Sequence, residues 1–491
     1  MAVKNLPNVI LIILDTCGAK HMSIYGYHRR TTPYLEELAE ECVVYTRCFS
    51  TSPWTSPSHA SMFTGLYPSE HGCKGIDMDL NENLYSLPEV LKSLTYKTCG
   101  ISSNPLICTS LGFGRGFDEF YGLYNVPYLR LYLNKGNKNK IKRIKYFMDY
   151  MVNKRRFQEG VEYIASALRI KEFKSRRDIM AKSATPATIE SLFCFEDAMN
   201  SYKKTNSPFF IFINFMQTHA KFNPPRKFRN IFVEDNPKIE NQHTFEYLFE
   251  HLVNKPHSIE YLDYIIGLYN QEILFIDYIT ACIFKLLKKK NLFDKTLLIL
   301  TSDHGELLGE HGLVEHSFCL YNENLYVPLI IKYPKEYGLK GVVDSLVQNH
   351  DIFATILKVT NAPYPVPKSS MSLLTSDKRQ IGISQLIDPR FKIAACLKRK
   401  ATFLPKDFML PHISIITDDL WKITKRADGH TEIYDLNNDL YENNNLMSSF
   451  RIKEKRVFLQ ELVSECEISG GYKKTIPKSM DITKEIFNYA P

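Results

Sequence analysis

The chain lacks the cysteine spacing of a disulfide framework or a zinc clip. Its eleven cysteines are scattered, odd in number and free of any Cys-x-x-Cys pair, which predicts reduced thiols in a cytoplasmic protein. It also lacks an apolar stretch long enough to span a membrane. The first apolar run, Val9-Ile10-Leu11-Ile12-Ile13-Leu14, is short, carries no cleavage pattern and stops at Asp15. It reads as a buried strand rather than a signal peptide. No internal repeat and no long low-complexity tract is present. Uniform basicity is missing too. The formal charge is +8, but the stretch Asn125 to Ser183 holds sixteen Lys/Arg against five Asp/Glu, which leaves the remainder slightly acidic. That distribution argues against a nucleic-acid binder.

What is present suits a globular protein. With 491 residues, 44% of them hydrophobic, the chain can build one large domain with a smaller one appended. Wholly apolar runs recur at Val9–Leu14, in "PFFIFINFMQTH" (Pro208 to His219) and in "KTLLILTSDHGE" (Lys295 to Glu306). Such runs belong in the middle of a parallel sheet. Between them lie helical patterns, such as "TTPYLEELAEE" and "LYSLPEVLKSL", so the expected class is α/β with a mostly parallel sheet and flanking helices. From about Ser370 the texture changes to short alternating strands ("QIGISQLI", "HISIITDDLWKITKR", "TEIYDL") and then a helix, "RIKEKRVFLQELVSEC". This predicts a small antiparallel sheet with a terminal helix. The domains are therefore placed at 1–370 and 371–491, with the basic stretch at about 125–183 as a helical insertion in the first. That stretch is either a solvated excursion or a lid or docking surface for an anionic partner.

Three apolar strands end in Asp15, His219 and Asp303-His304, and ligands of open α/β sheets bind beyond the carboxyl ends of strands. Asp15, Asp303 and His304 offer carboxylate oxygen and imidazole nitrogen, donors that suit Ca, Mg, Mn or Zn to differing degrees. The stretch "FSTSPWTSPSHASMFTGLYPSEHG" (Phe49 to Gly72) places Thr55 directly before a short apolar run that ends at Gly65. Helix caps account for part of this composition. A helix N-terminus is also a seat for an anion, here with a hydroxyl at its rim. A bound metal lowers the pKa of a coordinated water from about 15.7 to about 7, and an alcohol should respond in the same direction. Asp15, Thr55, Asp303 and His304 thus form a candidate metal site with Thr55 as nucleophile. His59, His219, Lys221 and His316 are candidates to neutralise the substrate's outer oxygens. His71 reads as structural, Asp351 as a helix N-cap, and Glu310 and His311 as supporting or surface groups.

Several linked segments carry a resemblance. "NVILIILDTCGAKHMSIYGYHRRTTPYLEELA", "PWTSPSHASMFTGLYPSEHG", "TSDHGELLGEHG", "LYVPLII" and the tail "DDLWKITKRADGHTEIYDLNNDLYENNNL" resemble, in order, motifs of the sulfatase family of the alkaline-phosphatase superfamily. The resemblance spans nearly the whole chain outside the basic stretch. It implies an alkaline-phosphatase-like fold, a divalent metal, a small anionic ester substrate and hydrolysis of sulfate or phosphate esters. It implies catalytic roles for Thr55, His59, His219 and His316 and a substrate contact from Ser58, while Lys221 is placed at the substrate by its charge. The family pattern is Cys-x-Pro-Ser-Arg, with the cysteine converted to formylglycine. Here Thr55 takes the cysteine place and His59 the arginine place. The second acid of the usual Asp-Asp pair is Thr16. Phosphate or phosphonate esters are therefore expected ahead of sulfate esters. A transferase with the same Thr-linked intermediate, or a non-catalytic anion-binding protein, is the alternative. The oligomeric state is open.

Overall fold

The computed structural model describes residues 6–75, 77–123, 186–205, 207–236, 238–239, 258–389 and 410–469. The basic stretch at about 125–183 lies outside the described residues. The strands in chain order are β1 (Asn8–Leu14), β2 (Val43–Phe49), β3 (Lys97–Ser102), β4 (Glu119–Gly122), β5 (Phe209–Phe215), β6 (Thr296–Thr301), β7 (Leu307–Leu308), β8 (Val314–Glu315), β9 (Leu329–Lys332), β10 (Gly341–Gln348), β11 (Ile381–Leu386), β12 (His412–Thr417), β13 (Trp421–Arg426) and β14 (Thr431–Asp435). Eight of them form the main sheet in the order β10-β2-β9-β6-β1-β5-β3-β4. Neighbours run parallel except at β9, which is antiparallel to both β2 and β6.

The apolar run of β1 is continuous because both faces of the sheet are covered. Side chains alternate across a strand. Ile10, Ile12 and Leu14 pack in one core layer with Leu35 of helix α1 (Pro33–Leu38) and with Tyr269 and Ile273 of the long helix Ile259–Lys289. Val9, Leu11 and Ile13 pack in the other, with Met62 and Phe63 of helix α2 (Thr55–Thr64) and with Phe353. Each of these β1 side chains is buried. Removing one such side chain from water contributes about 1.5–3 kcal/mol.

Strands β11 to β14 form a separate antiparallel sheet. Helix Lys453–Ser469 covers it, setting Leu459 and Val463 against Ile413, Ile415, Ile423 and Ile433. This sheet is tied to the main one by Gln385 N–H donating to the Thr51 carbonyl (2.8 Å) and Ser384 Oγ donating to the Ser50 carbonyl (2.6 Å). Asp351 belongs to the same seam. It is not the N-cap expected from sequence: His350 holds that position. Asp351 instead pairs with Arg379, whose Nε lies 3.1 Å from Oδ2, and accepts the Gln348 N–H at 2.9 Å. Glu310 and His311 join a second seam network. Lys20 Nζ lies 2.7 Å from Glu310 and 3.0 Å from Glu323, and His311 stacks on Tyr321 beside Glu323. Nearby, Lys422 and Glu442 pair at 2.7 Å, both wholly enclosed. Among the described residues no helix is long and apolar enough to cross a membrane.

Candidate active site

Strand β1 lies between β6 and β5, so the residues just past these three strands are neighbours in space although far apart in sequence. Ligand atoms of Asp15, Asp303 and His304 all lie within 4.8 Å of one another, and all three residues are fully buried. Thr55 stands at the first position of α2, its Oγ1 3.4 Å from His304 Nε2. Its hydroxyl does not cap the helix. Trp54 occupies the N-cap position and no side chain accepts there, so the cap explanation of this composition holds only at the other end. There Gly65 takes φ +73°, and a Cβ would meet the Phe353 ring at 2.8 Å.

Each carboxylate in the cluster has one oxygen occupied and one bare. Asp15 Oδ2 accepts from Asn104 Nδ2 (2.7 Å) and Asn214 Nδ2 (3.3 Å), while Oδ1 is buried without a hydrogen-bond partner. Asp303 Oδ1 accepts the backbone N–H of Thr16 (3.2 Å) and of His304 (2.9 Å), while Oδ2 is likewise unpartnered. His304 Nδ1 donates to the Gly305 carbonyl at 2.9 Å, which fixes the tautomer and leaves the Nε2 lone pair toward the cluster. Among the described residues neither carboxylate has a lysine or arginine ion-pair partner. Burial, and then the charge of Asp303, raises the Asp15 pKa; burial pushes Asp303 up to about 7. Burial also lowers His304 to about 4, which keeps it neutral and able to ligate. Two bare carboxylate oxygens and one imidazole nitrogen, with the Thr55 hydroxyl beside them, fit a divalent cation.

The other expected site residues divide into two groups. Ser58 Oγ donates to the Asp303 carbonyl at 2.7 Å and accepts from Asn349 Nδ2 at 2.9 Å, so its hydroxyl braces the loop under Asp303 rather than facing a substrate. His59 is fully enclosed. Its Nδ1 donates to the Thr55 carbonyl (2.9 Å) and its Nε2 accepts from Asn214 (3.2 Å), and burial holds it neutral, lowered to about 4. Both ring nitrogens are thus engaged with protein groups, and Nδ1 also lies 3.6 Å from Asp303 Oδ2. His219 and Lys221 line a cleft with Ser103, Gln217 and Glu272. The His316 ring lies 4.4 Å from that of His304 and 5.2 Å, edge-on, from that of His219. Its Nδ1 rests 3.2 Å from both oxygens of Glu306. His71 is internal, 3.0 Å from Ser61 Oγ.

Comparison with known proteins decides the family. The Sulfatase model matches residues 7–362, and the model for the N-sulphoglucosamine sulphohydrolase C-terminal region matches residues 309–468. The chain belongs to the sulfatase family. Among its relatives, the uncharacterized sulfatase YidJ of Escherichia coli K12 is 22% identical over 474 residues, 92% of this chain and 85% of that one. An N-acetylglucosamine-6-O-sulfatase of Bacteroides thetaiotaomicron is 23% identical, covering 94% of this chain and 86% of its own. The fold matches the phosphonate monoester hydrolase of Agrobacterium radiobacter with TM-score 0.66 at 19% identity, over 94% and 96% of the two chains. The chain is an ester hydrolase of this family, and its site contains groups that sequence reasoning passed over: Asn104, Asn214, Asn349 and Glu306. One signal was available. Asn214 is a polar residue inside the apolar run of β5, and it is fully buried.

Proposed function

We propose that this sulfatase-family hydrolase uses Thr55 as its nucleophile on phosphate or phosphonate esters, ahead of sulfate esters. The observation that carries the reading is the Thr55 hydroxyl, 3.4 Å from His304 Nε2 at the N-terminal end of α2, beside two bare carboxylate oxygens. Asp15, Asp303 and His304 would hold a divalent cation, with Thr55 beside it. When bound, the cation supplies positive charge that acidifies the hydroxyl and draws electrons from the ester. Thr55 Oγ bonds to phosphorus or sulfur and loses its proton to water as the ester C–O oxygen departs. His219 or His316 gives that oxygen a proton. Water then releases the acid from Thr55 and regenerates the hydroxyl.

The substrate preference rests on chemistry. Threonine cannot yield the formylglycine aldehyde, since its oxidation would give a ketone. The same fold serves a phosphonate monoester hydrolase. Thr16 and His59 stand where the resembled motifs carry an acid and an arginine, so one negative and one positive charge are absent together. Comparing kcat/KM of the wild type and Thr55→Ala on aryl phosphate, phosphodiester, phosphonate and sulfate esters tests the reading. Equal values for the two proteins would remove Thr55 from the chemistry. Absence of turnover on every ester with metal supplied would favour the anion-binding alternative, and transfer of the group to an added alcohol would mark a transferase.

The reading includes a cytoplasmic location. The scattered, odd-numbered cysteines without a Cys-x-x-Cys pair are what support it. Thiol titration of the denatured, unreduced protein should recover nearly all eleven. It also keeps the division at 370/371, supported by the change from a mostly parallel sheet to the antiparallel β11–β14.

A further inference from the structure

The two amides on Asp15 limit what the cluster can hold. Asn104 is oriented by its own surroundings: its Oδ1 accepts the Leu106 N–H at 2.8 Å, which turns Nδ2 to Asp15 Oδ2. Asn214 Nδ2 reaches the same oxygen at 3.3 Å and also serves His59. Asp15 is left with one oxygen for a ligand. Asp303 is in the same condition, because two backbone N–H groups occupy its Oδ1. His304 offers one nitrogen. The chain therefore presents two single carboxylate oxygens and one imidazole, with the Thr55 hydroxyl beside them at the position a zinc site leaves open. Calcium takes six to eight oxygens and commonly uses both oxygens of a carboxylate. Zinc is satisfied by three protein donors of mixed nitrogen and oxygen with a further position left open.

We propose that Asn104 and Asn214 act as positioning residues that hold Asp15 as a one-oxygen donor, and so set the site for zinc or a chemically similar transition ion over calcium. This rests on the metal-dependent reading above but makes a separate claim about ion choice. Freeing Asp15 Oδ2 lets the carboxylate rotate and offer both oxygens. That weakens the hold on a small ion and accommodates a larger one.

The test titrates full-length, metal-stripped protein with Zn²⁺ and with Ca²⁺ by calorimetry. Wild type should bind Zn²⁺ at least about 100-fold more tightly. In Asn104→Ala, Zn²⁺ affinity should fall about 10–100-fold, the usual cost of removing a partner of a metal ligand. Ca²⁺ affinity should fall less, so the ratio narrows. A merely structural defect would weaken both ions in parallel. Co²⁺ gives a second readout: its visible absorption should be strong in wild type, as in low-coordinate sites, and weaker in the variant. If circular dichroism shows Asn104→Ala unfolded, Asn104→Ser carries the same comparison. Calcium binding as tight as zinc in wild type, an unchanged ratio in the folded variant, or no binding of either ion would overturn the proposal. Ester turnover supported by calcium would overturn it while leaving the hydrolase reading intact.

Discussion

At the seam between the two sheets, Glu442 faces Lys422 at 2.7 Å, and Glu310 and Glu323 share Lys20. Past the end of β1, Asp15 and Asp303 are at least as deeply enclosed, yet their neighbours are asparagines, backbone N–H groups and a neutral imidazole. The contrast separates two uses of buried charge. Where a carboxylate ties elements together, the chain supplies the cation itself. Where the cation must come from solution, the chain supplies only neutral donors and leaves oxygens bare. Glu272 shows a third arrangement. It accepts from Gln217 Nε2 (2.5 Å) and the Asn223 N–H (2.6 Å), and burial raises its pKa to about 8. It can stay protonated at neutral pH.

The sharpest break between the clusters should come from Thr55→Ala, expected to lower kcat/KM by about 10⁴- to 10⁶-fold, the scale of losing a covalent nucleophile. Its melting temperature should stay close to wild type, because the hydroxyl caps nothing. Thr55→Ser should retain part of the activity. Next in size is chelation. Stripping the metal should cost about 10³-fold in rate, the equivalent of several kcal/mol of charge stabilisation. Re-addition should restore it, and a Lys422→Met protein should respond in the same way.

Lys422→Met is expected to leave turnover per folded molecule unchanged. It should destabilise the fold by about 3–5 kcal/mol in urea titrations, since Glu442 is stranded. Lys422→Met/Glu442→Leu should recover most of that loss; no recovery would deny the pair its structural role. The smallest effect concerns pH. A carboxyl raised from 4.5 to about 8 on folding contributes stability that is fully present below about 4.5 and is lost as the pH rises through about 8. Glu272→Gln should flatten the fall in urea midpoint between pH 6 and 9.

Much of the sheet was legible because burial on both faces demands uninterrupted apolar strands, and Val9–Leu14 and Phe209–Phe215 have that form. Asp15, Asp303 and His304 stood out as polar residues at the ends of such strands. The antiparallel course of β9 was not legible, since a four-residue apolar strand carries no mark of direction. Nor were Asn104 and Asn349, neutral amides in loops without period or charge pattern. His59 is expected at the ester from the charge a substrate needs and Ser58 from the resembled motif, but the hydrogen bonds of both go to protein groups. On a helix, residues three and four apart share a face, and in α2 that face turns toward Asp303 and Asn214.

All ten residues of α2 are buried, and its last turn closes with the Gly65 N–H on the Ser61 carbonyl at 2.8 Å. The helix carrying Thr55 is therefore core rather than loop. Beyond the Thr55 end its amide hydrogens lie within the core, so in native-state hydrogen exchange the rest of the segment should be among the last to trade deuterium, with a free energy near that of global unfolding. Heat inactivation should then follow the melting of the main sheet in a single step, with no intermediate in which the sheet persists and the Thr55 helix has frayed.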